Sequence, residues 1–399
     1  MARAFLRFVD RSFGKLLVRA IVLYDGFRAA LGGGRGGPVP AGASGFGPRN
    51  ILVIKLVGLG DTVLMLTPLA RLRREFPDAR ITVLVTPLSV GILTSQPSVD
   101  ETIVYDIFGK DRGISGALNI VRALRAGEFD CVMDFEQHFQ MTSIVSYLTG
   151  APRRIGFYYT GSPRKGLFTD PVFLNPDGHM VDAYMALLGP LGIESGGVEE
   201  LQAISVPAED VAAVDEWLVG HGIGPDDLLV GIHSGSGIRA PVRRWGVEKF
   251  AEIIRRLYNE RGATVVLTGG SEERARVREI IDLAGVDRVH SASGDLSILQ
   301  TAALMKRCDL FISNDTGPLH ISAAMGTATV GLFGPNSPTR YAPVGPNNMS
   351  IFKDVHCSPC IHIHEGRVDD CRDGICIKQI TVDDVWGAVR HYDLKGRMI

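Results

Sequence analysis

From residue 51 onward, short apolar runs of strand type alternate with longer amphipathic stretches, and the alternation starts afresh in the second half of the chain. Residues 51–56, 81–85, 102–105 and 131–135 read as buried strands, with helical patterns over 62–75 and 114–126 between them. A mixed segment, 153–206, carries a basic loop and a helical pattern near 181–188. The alternation then resumes: strands over 228–233, 264–268, 310–313 and 329–333, helices over 207–221, 247–261, 272–283, 296–307 and 318–325. Strands that are apolar throughout and separated by helices specify a parallel sheet covered on both faces. At 399 residues, two such domains are expected, over 50–205 and 206–399.

Open α/β sheets of this kind bind ligands beyond the carboxyl ends of their strands. Two turns there stand out: Gly58-Leu59-Gly60-Asp61 and, some 250 residues later, Asn314-Asp315-Thr316-Gly317-Pro318-Leu319-His320. Each follows a strand and opens a helix, where backbone N–H groups and the helix dipole can hold an anion. The further candidates are residues 234–237 and 269–272. The expected fold is therefore α/β, with two Rossmann-like doubly wound domains facing a central cleft.

Residues 1–49 differ from the rest. Arg3, Arg7, Arg11, Lys15 and Arg19 recur every fourth residue, which aligns them along a drifting helical stripe among Phe and Leu residues. Residues 1–50 hold eight Arg and Lys against Asp10 and Asp25, although the whole chain has a net charge of -2. A basic amphipathic helix over residues 1–25 suits an anionic membrane surface, and a helix packed on the body with its arginines in solvent is the plainer alternative. Residues 31–47, rich in Gly, Pro and Ala, read as a flexible linker, so the arm reads as tethered rather than built in. No apolar run approaches the roughly 20 residues that cross a bilayer, and arginines interrupt the N-terminal apolar stretch, so no signal peptide is read. The expected location is cytoplasmic, peripheral at the inner membrane. Net charge gives no reason to expect nucleic acid.

Several ordered motifs resemble glycosyltransferase family 9, the ADP-heptose:lipopolysaccharide heptosyltransferases. They are Ile51-Leu52-Val53-Ile54-Lys55 running into Leu59-Gly60-Asp61, Arg154-Ile155-Gly156-Phe157, His233-Ser234-Gly235, Arg243-Arg244-Trp245, the stretch from Ser313 to His320, Phe333-Gly334-Pro335 and Cys357-Ser358-Pro359-Cys360. The resemblance spans about residues 50–390. It implies a GT-B architecture, with the acceptor handled by the first domain and an ADP-sugar donor by the second, and no required cofactor.

An inverting sugar transfer needs a base beside the acceptor hydroxyl, and the resemblance gives that role to Asp61; the residues alone also allow Asp61 to cap the following helix. Gly60 leaves room for a ligand. A dinucleotide fingerprint is broken by Val63 at its third glycine. Ser234 and Gly235 belong with the donor. Thr316, Gly317, Pro318 and Leu319 form the expected diphosphate cradle, with Asp315 binding a sugar hydroxyl or capping the helix and His320 donating to phosphate or packing. Arg243 is expected to stabilise the leaving diphosphate; the family usually has Lys here, so the charge is kept while its reach and fork differ. Glu272 is expected to accept from ribose hydroxyls. Arg153, Arg154, Arg164 and Lys165, read as one basic loop, complement an acidic or phosphorylated glycolipid acceptor. Cys357, Cys360, Cys371 and Cys376 have spacing compatible with a structural zinc knuckle, reduced buried thiols being the other reading. The alternatives in function are another nucleotide sugar as donor, or a protein that binds a sugar nucleotide or glycolipid without turnover.

Overall fold

The computed structural model describes residue 10 and residues 14–30, 47–237, 241–362, 367–368, 371 and 373–392. The chain divides into two compact units between Gly197 and Val198. In the first, β1 (Asn50–Ile54), α2 (Leu59–Glu75), β2 (Arg80–Val85), β3 (Glu101–Val104), α3 (Ile114–Ala126), β4 (Cys131–Asp134), α4 (Gln140–Thr149), β5 (Arg153–Tyr158), β6 (Asp170–Phe173) and α5 (Met180–Ala186) follow a further helix, α1 (Lys15–Ala30). The six strands are all parallel, in the order β3-β2-β1-β4-β5-β6. Ile51, Leu52, Val53 and Ile54 of the central strand are wholly buried, which is why β1 reads as an unbroken apolar run.

The second unit contains α6 (Ala208–Gly220), β7 (Leu229–His233), α7 (Val247–Arg261), β8 (Thr264–Thr268), α8 (Arg274–Ala284), β9 (Val289–Ser291), α9 (Ile298–Arg307), β10 (Leu310–Asn314), α10 (Gly317–Ala324), β11 (Ala328–Phe333), β12 (Asn348–Phe352) and α11 (Val382–Val389). Its sheet is also parallel, in the order β12-β11-β10-β7-β8-β9. Both units therefore wind alike: the chain starts at the centre, runs to one edge, returns and runs to the other. The switch points lie between β1 and β4 and between β7 and β10, where adjacent loops diverge and leave a crevice.

Two sequence expectations change here. The supposed basic loop begins as strand β5, and its arginines are mostly internal. Arg153 is buried and bridges Asp170 at 3.2 Å. Arg164, wholly buried in a short 3-10 turn over Pro163–Leu167, meets Asp134 Oδ2 at 2.7 Å. Arg154 donates to the carbonyls of Leu167 (2.9 Å) and Ala151 (2.6 Å). Lys165 alone of the four is exposed, its ammonium 4.8 Å from the Tyr158 ring centre. Neighbouring carboxylates and carbonyls let these cations stand where composition alone suggests solvent.

The second change concerns the arm. Arg3, Arg7, Arg11 and nearly all of the Gly/Pro linker lie outside the described residues, but α1 is built in along one face. Val18 is buried among Ile144 and Leu167, and the Tyr147 hydroxyl donates to Asp25 at 2.7 Å.

Arg164 supplies the counter-charge for Asp134, whose pKa burial pushes up to about 6 against the pull of that guanidinium. Replacing Arg164 by Met leaves a buried carboxylate uncompensated, at a cost of about 3–5 kcal/mol at neutral pH. Because Asp134 binds its proton more tightly folded than unfolded, stability falls as pH rises from about 4 through the folded value. The penalty measured by urea unfolding is therefore expected to shrink at pH 5 relative to pH 8. Equal stability of the variant and parent at pH 8 would contradict this.

Candidate functional site

In the first unit the site is built on the turn after β1. Gly58 takes φ +96, a conformation open to glycine, and a Cβ there would collide with the Asp61 carboxylate. The helix begins at Leu59, so Gly60 and Asp61 lie in its first turn. No side chain caps it; Asp61 is turned elsewhere, and the capping alternative does not hold. Its Oδ1 accepts from the Tyr184 hydroxyl at 2.7 Å and from Gln137 Nε2 at 3.1 Å. Tyr184, from α5, and Gln137, from the loop after β4, are both buried and are joined at 3.2 Å. Oδ2 lies against Gly58 and, among the described residues, accepts no hydrogen bond, so one oxygen is held by donors and the other is not.

The turn itself is pinned by Glu136. Its Oε1 accepts from the amides of Leu56 and Val57, each at 2.7 Å, and lies 3.4 Å from the buried ammonium of Lys55. Glu136 is held in turn by its own amide, which donates to Asp134 Oδ1 at 3.0 Å. Lys55, Glu136, Gln137 and Tyr184 were not singled out from the sequence as site residues. The signal available was positional: Glu136 and Gln137 follow a strand adjacent to β1.

In the second unit the site spans the switch point between β7 and β10. Asn314 Nδ2 donates to the carbonyls of Ser234 (2.8 Å) and Gly235 (3.1 Å), and its Oδ1 accepts from the Trp245 amide at 3.2 Å. One buried side chain thus ties the two loops and the basic segment together. Arg243 Nη1 lies 3.1 Å from Asp315 Oδ2, so the cation and carboxylate expected to act separately form an ion pair. The helix α10 starts at Gly317 with Pro318 early in its first turn, the position where proline costs no hydrogen bond. The expected cradle narrows here. Pro318 has no N–H, and the Leu319 amide donates to the Thr316 carbonyl at 3.1 Å, which leaves the amides of Thr316 and Gly317 at that turn. His320 is buried, its ring centre 6.4 Å from that of Tyr341.

Both glutamates after β8 stand at this site: the Glu272 carboxylate lies against Gly270, and the Glu273 carboxylate against Gly235 and Gly269. Glu272 is exposed, whereas Glu273 is buried and its Oε2 accepts from the Gly270 amide at 3.2 Å. Its Oε1 occupies space that a Cβ on Gly235 would fill. The preceding residues form a 3-10 turn over Ser271–Glu273 before α8 begins, and this tighter winding brings the second glutamate inward. Glu273 Oε2 stands 3.9 Å from His233 Nε2, and His233 Nδ1 meets Thr268 Oγ1 at 3.2 Å. Glu273 Oε1, Ser234 Oγ and Ser293 Oγ are buried without a hydrogen-bond partner among the described residues. Ser293 Oγ and the Glu273 carboxylate both face Gly269. Unpartnered buried oxygens are costly, and those of Glu273 and Ser293 gather beside Gly269.

Among the described residues the four C-terminal cysteines are in no disulfide; Cys360 and Cys376 are buried, Cys357 is exposed and Cys371 lies between. Among the described residues no three His, Cys, Asp or Glu side chains are gathered as metal ligands, so the zinc reading gains no support from this geometry.

Two units that wind alike, each with its polar groups at the switch point, are the build of a GT-B glycosyltransferase. The profile of glycosyltransferase family 9 (heptosyltransferase) matches residues 117–367, and the chain belongs to that family. It is 24% identical over 312 residues to the lipopolysaccharide core heptosyltransferase OpsX of Haemophilus influenzae, covering 77% of this chain and 85% of that protein. The crystal structure of a family 9 glycosyltransferase from Veillonella parvula superposes with a TM-score of 0.71 at 26% identity, over 86% of this chain and 96% of that one. The E. coli ADP-heptose lps heptosyltransferase II shares the fold, with a TM-score of 0.66 at 22% identity over 86% and 98% of the two chains.

Burial holds the His233 imidazole below its ordinary pKa, and the Glu273 carboxylate works against that shift. In an NMR titration His233 is expected to gain its proton below pH 6.5, the ordinary value, and Glu273→Gln is expected to lower the midpoint further. A midpoint that rises in the variant would contradict the pairing.

Proposed function

We propose that this glycosyltransferase is an inverting, metal-independent enzyme that moves heptose from ADP-heptose onto a lipopolysaccharide-core or related glycolipid acceptor, at the cytoplasmic face of the inner membrane. The observation that carries the reading is the Asp61 carboxylate, placed at a switch point with Oδ1 held by Tyr184 and Gln137 and Oδ2, among the described residues, accepting no hydrogen bond. A base so oriented can take the proton of an acceptor hydroxyl as that hydroxyl attacks the anomeric carbon. The C1–oxygen bond to ADP breaks as the new glycosidic bond forms, and negative charge develops on the diphosphate.

In this reading Arg243 and the amides of Thr316 and Gly317 receive that charge, as fixed donors aimed at a developing anion do. The ion pair with Asp315 keeps the guanidinium in place before the donor arrives, and Asp315 becomes its positioning residue rather than a sugar ligand. Glu273, with Ser234 and Ser293, suits ribose hydroxyls, which would complete its unpartnered oxygen. The resemblance of the chain to enzymes named for heptose transfer supports the sugar and the acceptor, and the name of the E. coli relative supports ADP as the carrier. Protein cations at the diphosphate supply the charge stabilisation that metal-dependent transferases draw from an ion. Of the expected acceptor cations, Lys165 is the one still open to solvent, and we retain it alone as a candidate contact.

The reading is tested by transfer from ADP-heptose to a heptose-deficient lipopolysaccharide core with magnesium chelated. The parent enzyme is expected to turn over, and Asp61→Asn to lose about 10²–10⁴-fold in kcat with ADP affinity by calorimetry unchanged. Arg243→Ala is expected to weaken ADP binding. Full activity of Asp61→Asn, or turnover with only a different nucleotide sugar, would overturn it.

Tyr184→Phe separates orientation from chemistry. Removing the hydroxyl leaves the ring in its packing against Phe135 and Phe157, at ring-centre distances of 5.4 and 6.1 Å. The expected result is a loss of about tenfold in kcat, the size of one lost hydrogen bond to a charged group, with donor KM unchanged. An unchanged kcat would remove Tyr184 from the mechanism.

A further inference from the structure

Helix α1 has two apolar faces, and the body of the protein covers one of them. On the inner face Val18 is fully buried, with Ile21 and Val22 beside it, against Ile144 and Leu167. A Cβ on Gly166 would collide with Val22, so the helix sits directly on the turn Pro163–Leu167. The outer face is apolar too: Leu16, Leu17, Leu23 and Tyr24 are 60%, 50%, 74% and 60% exposed. Large apolar side chains grouped at helical spacing on one exposed face call for a covering partner.

Charge on α1 is sorted as sharply as apolarity. The two acids of the first 50 residues both point into the protein. Asp25 accepts from the Tyr147 hydroxyl at 2.7 Å, and Asp10 accepts from the amides of Gln140 (3.0 Å) and Met141 (2.8 Å) at the start of α4. The outward side of α1 carries Arg19, exposed, and Lys15, half-exposed, and Lys165 is exposed on the turn against which the helix packs. No carboxylate stands among Leu16, Leu17, Leu23 and Tyr24 and their helical neighbours Lys15 and Arg19. Among the described residues the charges that flank this exposed apolar face are cations, which matches an acyl boundary beneath anionic headgroups.

We infer that the outward face of α1 is a docking surface for an anionic lipid bilayer, on which the helix lies flat. The choice of a lipid partner rests on the glycolipid reading above. The inner contacts fix α1 to the first unit, so docking would hold that whole unit, Asp61 included, at the headgroup layer. The surface is then a rigid foot, and the acceptor reaches the enzyme in the plane in which it already diffuses.

The test uses the full chain and flotation with vesicles of phosphatidylcholine alone or mixed with phosphatidylglycerol. Binding to the mixed vesicles is expected to exceed binding to phosphatidylcholine at least fivefold. A variant with Leu16, Leu17, Leu23 and Tyr24 each replaced by Ser is expected to lose at least tenfold in partition. Lys15→Glu with Arg19→Glu is expected to remove the preference for phosphatidylglycerol. All four apolar positions are exposed, so circular dichroism and transfer to a deacylated, water-soluble acceptor are expected to match the parent; failure of that transfer in the parent would count against the enzymatic reading and not against the docking surface. Flotation of the apolar variant equal to the parent would overturn the proposal. So would a parent dimer that the variant dissolves without any vesicle binding, which would give the face to a second copy.

Discussion

Glu136 sets the geometry on which the rest of the first unit's site depends. A buried carboxylate that accepts from two successive backbone amides and faces a buried ammonium converts the strand-end residues 55–57 from a loose connection into a fixed platform. Lys55 offsets the charge that the amides alone would leave in a low-dielectric setting. Gly58 can then take its left-handed turn, α2 starts at a defined point, and Asp61 leaves that helix in the direction of Tyr184 and Gln137. Asp134 and Arg164 extend the same arrangement inward. Three near neighbours at the end of β4, Asp134, Glu136 and Gln137, therefore support a turn that belongs to β1, which is the physical content of a switch point between adjacent parallel strands.

The second unit solves the matching problem with a neutral group. Asn314 ends β10 and binds two carbonyls of the loop after β7, while its oxygen receives the Trp245 amide. An amide side chain can donate and accept at once, so one residue joins three segments without adding a charge of its own. The ionic work is left to Arg243 and Asp315. Their pairing gives the carboxylate at the start of α10 a partner: it holds a guanidinium. Arg276 strengthens the same floor by donating to the Ser234 carbonyl at 3.1 Å.

What could be read in the sequence follows from the range of the interactions involved. Buried parallel strands such as β8 and helices such as α3 and α7 announce themselves locally, through unbroken apolar runs and 3.6-residue periodicity, and their bounds agree with the structure. That Asp61, Arg243 and Asp315 stand at turns was legible because glycine, proline and charge mark the chain around them. Strands β5, β6, β9 and β12 were not: all four carry charged or polar residues, and β6 and β9 are short as well. Arg153 and Arg164 read as surface cations because their partners, Asp170 and Asp134, come from other strands. Glu272 and Glu273 are adjacent and chemically identical; only the winding of the 3-10 turn decides which one is buried. Tyr184 lies 123 positions from Asp61, and no local pattern could have joined them.

The central claim is that Asp61 drives a direct displacement at the anomeric carbon, with the acceptor hydroxyl entering opposite the departing ADP. The most direct test is the anomeric configuration of the heptose in the product, read by NMR after transfer from isotopically labelled ADP-heptose to a heptose-deficient core. A single displacement predicts inversion relative to the donor. Retained configuration, or free heptose with none attached to the core, would contradict the account.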